Sequence, residues 1–250
     1  MVSTSTANAV RVQQPKCLND FALLPTSRHK LESILDGTLS FPDNGVNGII
    51  FYGLYGTGKT TIANLFPGLL ETAKTTAAAQ HTPPGDITDS VGPLTSYHPC
   101  VQGQNGVSLI NNIQNTTSFI SFNESGLHYI ILDEADLLTD AAKASFKALM
   151  NRTHVVFLMT TNHLNELDPG VQNRSVLIDM NVPPATHWRP LLRRVYTNSG
   201  LAAPADAILD QVVEAGRGSA RSIFSDVVMS ANQAQRDGQS NVMKIRNIRS

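Results

Sequence analysis

Apolar positions follow two alternating rhythms up to residue 182 and a single one beyond it. Short unbroken apolar runs at 48–52, 129–132, 154–159 and 176–180 suit strands buried on both faces of a parallel sheet. Helical spacing fills the gaps: 27–35, a helix beginning near Lys59, and 106–117 with Val107, Ile110 and Ile113 on one side. A further helix is capped by Thr139 and spaces Ala142, Phe146, Leu149 and Met150 toward a core. Phe41-Pro42-Asp43-Asn44-Gly45 marks a turn, and the aperiodic Ala, Thr, Pro and Gly of 74–96 read as a surface loop or insertion. After Pro183-Pro184 only the helical rhythm remains. It is carried by Trp188, Leu191, Leu192, Val195 and Tyr196, then by Ile223, Phe224, Val227, Val228 and Ala231. The expected fold is α/β, a doubly wound parallel sheet flanked by helices and followed by a small all-helical lid. Expected boundaries are a flexible arm over 1–14, the α/β core over 15–182, the lid over 183–235, and a polar tail over 236–250 carrying Lys244, Arg246 and Arg249.

Composition narrows the classes. With 250 residues, 41 % of them apolar and 16 % charged, the chain supports a sizeable core and lacks a disorder signature. The formal net charge of −1 is no nucleic-acid footprint, so any DNA contact needs a local basic face. Lys143, Lys147 and Arg152 are candidates for one, with an ordinary solvated helix surface as the equal alternative. Cys17 and Cys100 are the only cysteines, which argues against a disulfide framework and excludes a four-cysteine zinc site. His98-Pro99-Cys100 has no partner pair and reads as a loop or strand end. The first ten residues lack a basic start and apolar run, and no stretch approaches membrane-spanning length. The expectation is a soluble intracellular protein with no membrane partner.

Chemistry enters at Gly53-Leu54-Tyr55-Gly56-Thr57-Gly58-Lys59-Thr60, which matches the phosphate-binding pattern G-x-x-x-x-G-K-[ST]. Gly53, Gly56 and Gly58, with Thr57 between them, let backbone amides turn toward phosphate oxygens, and the helix starting at Lys59 adds free N–H groups and a positive dipole end. Lys59 is expected between the β- and γ-phosphates, the Thr60 hydroxyl on Mg²⁺, and Thr61 at the α-phosphate. An apolar strand leads in and a helix leads out, as the motif requires. Ile130-Ile131-Leu132 then delivers Asp133 and Glu134 at a strand's C-terminal end, where ligands of such sheets sit. Asp133 is the candidate for holding Mg²⁺ and Glu134 for general base.

Asp133-Glu134-Ala135-Asp136 with Leu137-Leu138-Thr139 resembles the Walker B box of AAA+ clamp-loader small subunits, that is, replication factor C small subunits and their phage equivalents. The resemblance runs co-linearly from Pro15 to Ala234. Phe157-Leu158-Met159-Thr160-Thr161-Asn162 is similar to sensor 1, which implies that Asn162 touches the γ-phosphate or the lytic water. Asp168-Pro169-Gly170-Val171-Gln172-Asn173-Arg174-Ser175 resembles the family's arginine-finger segment and implies that Arg174 acts in a neighbouring subunit's site, although Asn173 and Ser175 replace the family's Ser and Cys. Gly218-Ser219-Ala220-Arg221 resembles sensor 2, with Ser219 at a usually acidic position, and implies that Arg221 reaches the γ-phosphate. Softer matches are the stretch from Pro15 to Phe21, which would help enclose adenine, the segment Gly106 to Ile110, and Lys147 near the subunit interface.

The resemblance implies a P-loop NTPase with an AAA+ core and a helical lid, using ATP and Mg²⁺. It also implies a homo- or hetero-oligomeric ring that serves DNA replication, with a sliding clamp and primer-template DNA as partners. Only about fifteen residues follow the lid, so no collar domain is expected. The alternatives are another AAA+ remodelling ATPase of helicase-loader type, or an ATP-dependent binding module with little hydrolysis. Asp133 to Asp136 also spells the box of a helicase class that needs a second α/β domain, which 184–250 cannot supply.

Overall fold

The computed structural model describes residues 10–248, with side chains as far as residue 237. Residues 15–182 form one compact unit, and residues 183–248 form another together with 10–14.

In the first unit, β1 (Gly48–Tyr52), β2 (Thr95–Pro99), β3 (His128–Asp133), β4 (Val155–Thr161) and β5 (Ser175–Asp179) make one sheet in the order β2-β3-β4-β1-β5. Every pairing is parallel. Parallel neighbours need crossovers, and α2 (Lys59–Thr75), α3 (Val107–Thr116), α4 (Asp140–Leu149) and the short α5 (Pro169–Asn173) supply them, with α1 (Pro25–Leu35) ahead of β1. The strand runs are continuously apolar because each face of the sheet has its own cover. Ile49, Phe51, Tyr129, Ile131, Val156 and Leu158 point into a core with α1 and α2 residues such as Leu31, Ile62, Phe66 and Leu69. Their neighbours Ile50, Ile130, Leu132, Val155, Phe157 and Met159 point the other way, onto Ile110, Ile113, Ala142, Phe146 and Leu149 of α3 and α4.

Local signals explain the punctuation. The Thr139 hydroxyl accepts from Ala142 N at 3.3 Å and caps α4. Asp43 and Val46 exchange backbone hydrogen bonds around Asn44 (φ 51°) and Gly45 (φ 78°), a two-residue turn of the type these residues favour.

Strand β2 is a correction. The stretch 74–96 reads as loop in the sequence, yet Thr95–Pro99 pairs with β3 over its whole length; of the two readings of His98-Pro99-Cys100, loop or strand end, the structure shows the strand end. β2 is one of the two outer strands, its burial alternates between exposed and intermediate, and it carries no apolar run. An edge position also tolerates Pro99, which a central strand would not.

In the second unit, α6 (Ala185–Thr197), α7 (Asp206–Ala215) and α8 (Ala220–Ile248) pack around Trp188, Leu191, Leu192, Leu209, Val213, Ile223, Val227 and Ala231. Arg189 grips Asp210 with two hydrogen bonds, 2.8 and 2.6 Å, and Arg193 pairs with Asp206. Of the arm expected over 1–14, residues 1–9 lie outside the described residues, while Val10 is buried with its N–H on Asn232 Oδ1 at 3.0 Å. The limit expected at residue 235 falls inside α8. Arg249 and the side chains of Lys244 and Arg246, assigned to the tail, lie outside the described residues.

Glu71 of α2 is 2 % exposed, and its carboxylate accepts from Ser125 N at 2.9 Å and Tyr129 OH at 2.7 Å. Glu71→Leu should cost about 2–3 kcal/mol in urea denaturation, because it strands buried donors without an acceptor. An unchanged midpoint would mean that this network does not hold α2 to the sheet.

Candidate functional site

The loop between β1 and α2 opens from the C-terminal end of a central strand, the usual ligand edge of such a sheet. Gly53, Gly56 and Gly58 have φ of 137°, 76° and 95°, values that side-chain-bearing residues adopt only under strain. A Cβ on Gly53 would also fall 2.9 Å from Asn181 Oδ1. That oxygen accepts from Leu54 N at 3.1 Å and holds the loop from beyond β5. Lys59 is 8 % exposed and donates to Gly53 O at 2.9 Å and Leu54 O at 2.6 Å. Burial pushes its ammonium pKa down, while Asp133, Asp136 and Glu134 push it up by less. Gly58 offers α2 no side-chain cap, so the first-turn amides of Lys59, Thr60 and Thr61 have no side-chain acceptor there. A buried ammonium beside an uncapped helix N-terminus is an arrangement that can cradle a polyphosphate.

Across from it, Asp133 closes β3 and is bound by three hydroxyls. Thr60 Oγ1 and Thr160 Oγ1 donate to its Oδ1 at 2.9 and 2.6 Å, and Tyr97 OH donates to its Oδ2 at 2.7 Å. Glu134, exposed, has φ 57° and ψ 51°, the left-handed region that disfavours a side chain. Its N–H donates to Thr160 Oγ1 at 2.9 Å. β4 runs between β1 and β3, so Asn162, just past its end, lies between the Gly-rich loop and the acidic pair. Asn162 Oδ1 and Asp136 Oδ1 are buried without a hydrogen-bond partner, two acceptors that burial alone would penalise. Among the described residues no group of three His, Cys, Asp or Glu could hold a metal ion. A hydroxyl and a carboxylate 2.9 Å apart are nonetheless the hard-oxygen pair that Mg²⁺ uses together with phosphate oxygens. Cys100 is fully buried, its N–H donates to Asp133 O at 2.9 Å, and burial together with the acidic cluster pushes its thiol up to about 12, so it stays an inert thiol.

Other expected residues fall elsewhere. The stretch from Pro15 to Phe21 borders the Gly-rich loop: a Cβ on Gly58 would lie 3.9 Å from the Phe21 ring. Arg28 fastens the stretch, donating to Leu18 O and Phe21 O at 3.3 and 3.2 Å. Arg174 ends α5 at the N-terminal end of β5, where Ser175 registers with Gly48. It therefore sits one strand length, about 16 Å at the usual rise per residue, from the loop that follows β1, on the opposite edge of the sheet. Its Nη1 donates to Gly170 O at 2.9 Å, and Lys147 pairs at 3.3 Å with Asp168, the N-cap of the same helix. Arg221 is exposed in the first turn of α8, in the helical unit, with Ser219 Oγ accepting from Ser222 N at 3.3 Å. Of the candidate basic face, Lys143 bonds Glu166 O, Lys147 bonds Asp168, and Arg152 bonds Gln114 O and Thr117 Oγ1, so these cations serve as internal ties.

Three residues escaped sequence reasoning: Tyr97, Thr160 and Asn181. Thr160 carries a weak signal, a polar residue at the end of an apolar run and two positions before Asn162. Nothing local marks Tyr97 or Asn181, because their partners lie 36 and 127 residues away in the chain.

The left-handed backbone at Glu134 yields a prediction. Glu134→Gly should raise stability by about 1 kcal/mol in chemical denaturation by relieving that conformation. A loss of stability would show that the carboxylate itself holds the fold.

No family model matches the chain. It is 28 % identical over 134 residues to the replication factor C small subunit of Picrophilus torridus, covering 52 % of this chain and 41 % of that protein. The corresponding subunit of Methanocella arvoryzae is 25 % identical over 135 residues, 53 % of this chain and 42 % of the other. The chain thus matches about two fifths of the length of these curated relatives. Among solved structures, the Holliday junction branch migration motor RuvB of Thermotoga maritima superposes with a TM-score of 0.57 at 14 % identity, covering 90 % of this chain and 73 % of that one. A variant of the same protein reaches 0.60 over 88 % and 72 %. The chain has the AAA+ ATPase fold, a P-loop α/β core and a small helical lid; it shares that fold with RuvB and a distant sequence similarity with replication factor C small subunits.

Proposed function

We propose that this chain binds ATP with Mg²⁺ and hydrolyses it as an oligomeric AAA+ remodelling ATPase acting on DNA or on a DNA-bound protein. The observation that carries the reading is the meeting of two half-sites at one sheet edge. The buried Lys59 and uncapped α2 stand on one side, Asp133 and Glu134 on the other, with Asn162 between them. Lys59 and the first amides of α2 would hold the β- and γ-phosphates. Thr60 and Asp133 would hold Mg²⁺, which when bound withdraws charge from the phosphate oxygens. Glu134 would take the proton from a water whose oxygen attacks the γ-phosphorus as the bond to the bridging oxygen breaks. Asn162, with an unpartnered acceptor, would orient that water or the γ-phosphate.

Arg174 lies on the wrong edge of the sheet to serve its own site, which supports a role in a neighbouring subunit's. A cation in the first turn of a helix opposes the helix dipole, so Arg221 is poorly explained by stability alone and suits a phosphate sensor. The RuvB likeness covers 90 % of the chain, against about half for replication factor C. Remodelling is therefore the preferred reading, and the clamp-loading role expected from the sequence is the second. The sequence identity to replication factor C small subunits keeps the second reading open.

Glu134→Gln should retain ATP affinity and lose at least about a hundredfold in turnover, measured by single-turnover phosphate release; full activity would remove Glu134 as base. Arg174→Ala and Lys59→Ala should each be inactive, and their mixture should regain part of the turnover, because each supplies what the other lacks. No regain in mixed oligomers would count against a finger acting between subunits. Stimulation by branched DNA rather than by primed DNA with a sliding clamp would favour remodelling over clamp loading.

A further inference from the structure

Tyr97 stands on the edge strand β2 and is 44 % exposed, an odd place for a large aromatic ring that contributes little to either core. Its hydroxyl nevertheless reaches Asp133 Oδ2 at 2.7 Å. The carboxylate of Asp133 ends a strand, and the terminal torsion of an aspartate is broad, so the backbone alone does not set its direction. Oδ1 is taken by Thr60 from α2 and by Thr160 from β4, and Oδ2 is taken by Tyr97 from β2. The register places Tyr97 opposite Ile131, two residues before Asp133, so the ring leans forward along the strand direction to reach it.

We propose that Tyr97 is a positioning residue for the carboxylate that would hold the metal: its hydroxyl occupies Asp133 Oδ2 and so keeps Oδ1 turned toward Thr60 and Thr160. The inference rests on the nucleotide-site reading above and adds a residue from outside its motifs. A tyrosine chosen only for its preference for strands would serve as well without its hydroxyl. A tyrosine that orients a ligand from behind would not, since groups bonded to metal-binding carboxylates usually alter metal affinity when removed.

The test compares the full chain with its Tyr97→Phe variant, using Mn²⁺ as the metal probe in the presence of ADP. Bound Mn²⁺ is read by electron paramagnetic resonance, and fluorescent ADP binding is measured in EDTA. The variant should bind Mn²⁺ about tenfold more weakly, with metal-free ADP affinity and melting temperature unchanged. Tyr97→Leu, which removes the ring as well, should weaken Mn²⁺ to the same degree. Equal Mn²⁺ affinity in the Phe variant overturns the inference. A parallel fall in metal-free ADP affinity and melting temperature also overturns it, because that pattern marks a general structural role. If the unaltered chain binds no ADP, the nucleotide-site reading itself fails and this inference with it.

Discussion

The carboxylate of Asp133 is the point on which the site's geometry depends. Three hydroxyls from three elements converge on it: Thr60 from α2, Thr160 from β4 and Tyr97 from β2. Hydrogen bonds to an ionised acceptor are roughly twice as strong as neutral ones, and here they tie the Gly-rich loop to the acidic side of the sheet. Thr160 extends the tie by accepting from Glu134 N, so one hydroxyl serves both acidic residues. The two half-sites are therefore one hydrogen-bonded assembly rather than two loops that happen to be close.

That assembly carries a local cost. Glu134 is held left-handed, Lys59 has lost most of its hydration, and Asn162 and Asp136 each keep a buried acceptor without a partner. Each of these is unfavourable by itself, and all lie on or next to the same sheet edge. The two cores beneath supply the stability that tolerates them. Alternate residues of β1, β3 and β4 point to opposite covers, so the strand ends that bear Asp133 and Asn162 rise from a fully buried floor.

What the sequence made legible follows from how each signal arises. Central strands buried on both faces write continuous apolar runs, so β1, β3 and β4 were readable, and β5, though an outer strand, was readable from its own run at 176–180. The Gly-rich loop was readable because its backbone demands glycine at fixed spacing, and Asp133 and Glu134 because they close an apolar run. β2 was not, since its residues alternate between exposed and half-buried, and Thr95, Ser96, His98 and Pro99 leave no apolar run. Tyr97 and Asn181 were not, because their roles come from long-range convergence across the sheet and no local pattern records it. Resemblance supplied Arg174, and geometry then added what resemblance could not, its position at the end of β5 remote from the Gly-rich loop.

The position of Arg174 bears on how such a chain would be controlled. In a parallel sheet, one end of every strand faces the ligand edge and the other faces away. A cation at the start of β5 is thus excluded from the site after β1 by the length of the strands, whatever rotamer it takes. Its segment is held in place, with Asp168 capping α5 and paired to Lys147, and with Arg174 O accepting from Asn47 N and Gly48 N at the foot of β1. The same strand that carries the Gly-rich loop at one end therefore anchors the Arg174 segment at the other. On the proposed reading, a displacement of β1 by nucleotide in one subunit would be felt by the finger offered to the next, and coupling between sites would need only the stiffness of a single buried strand.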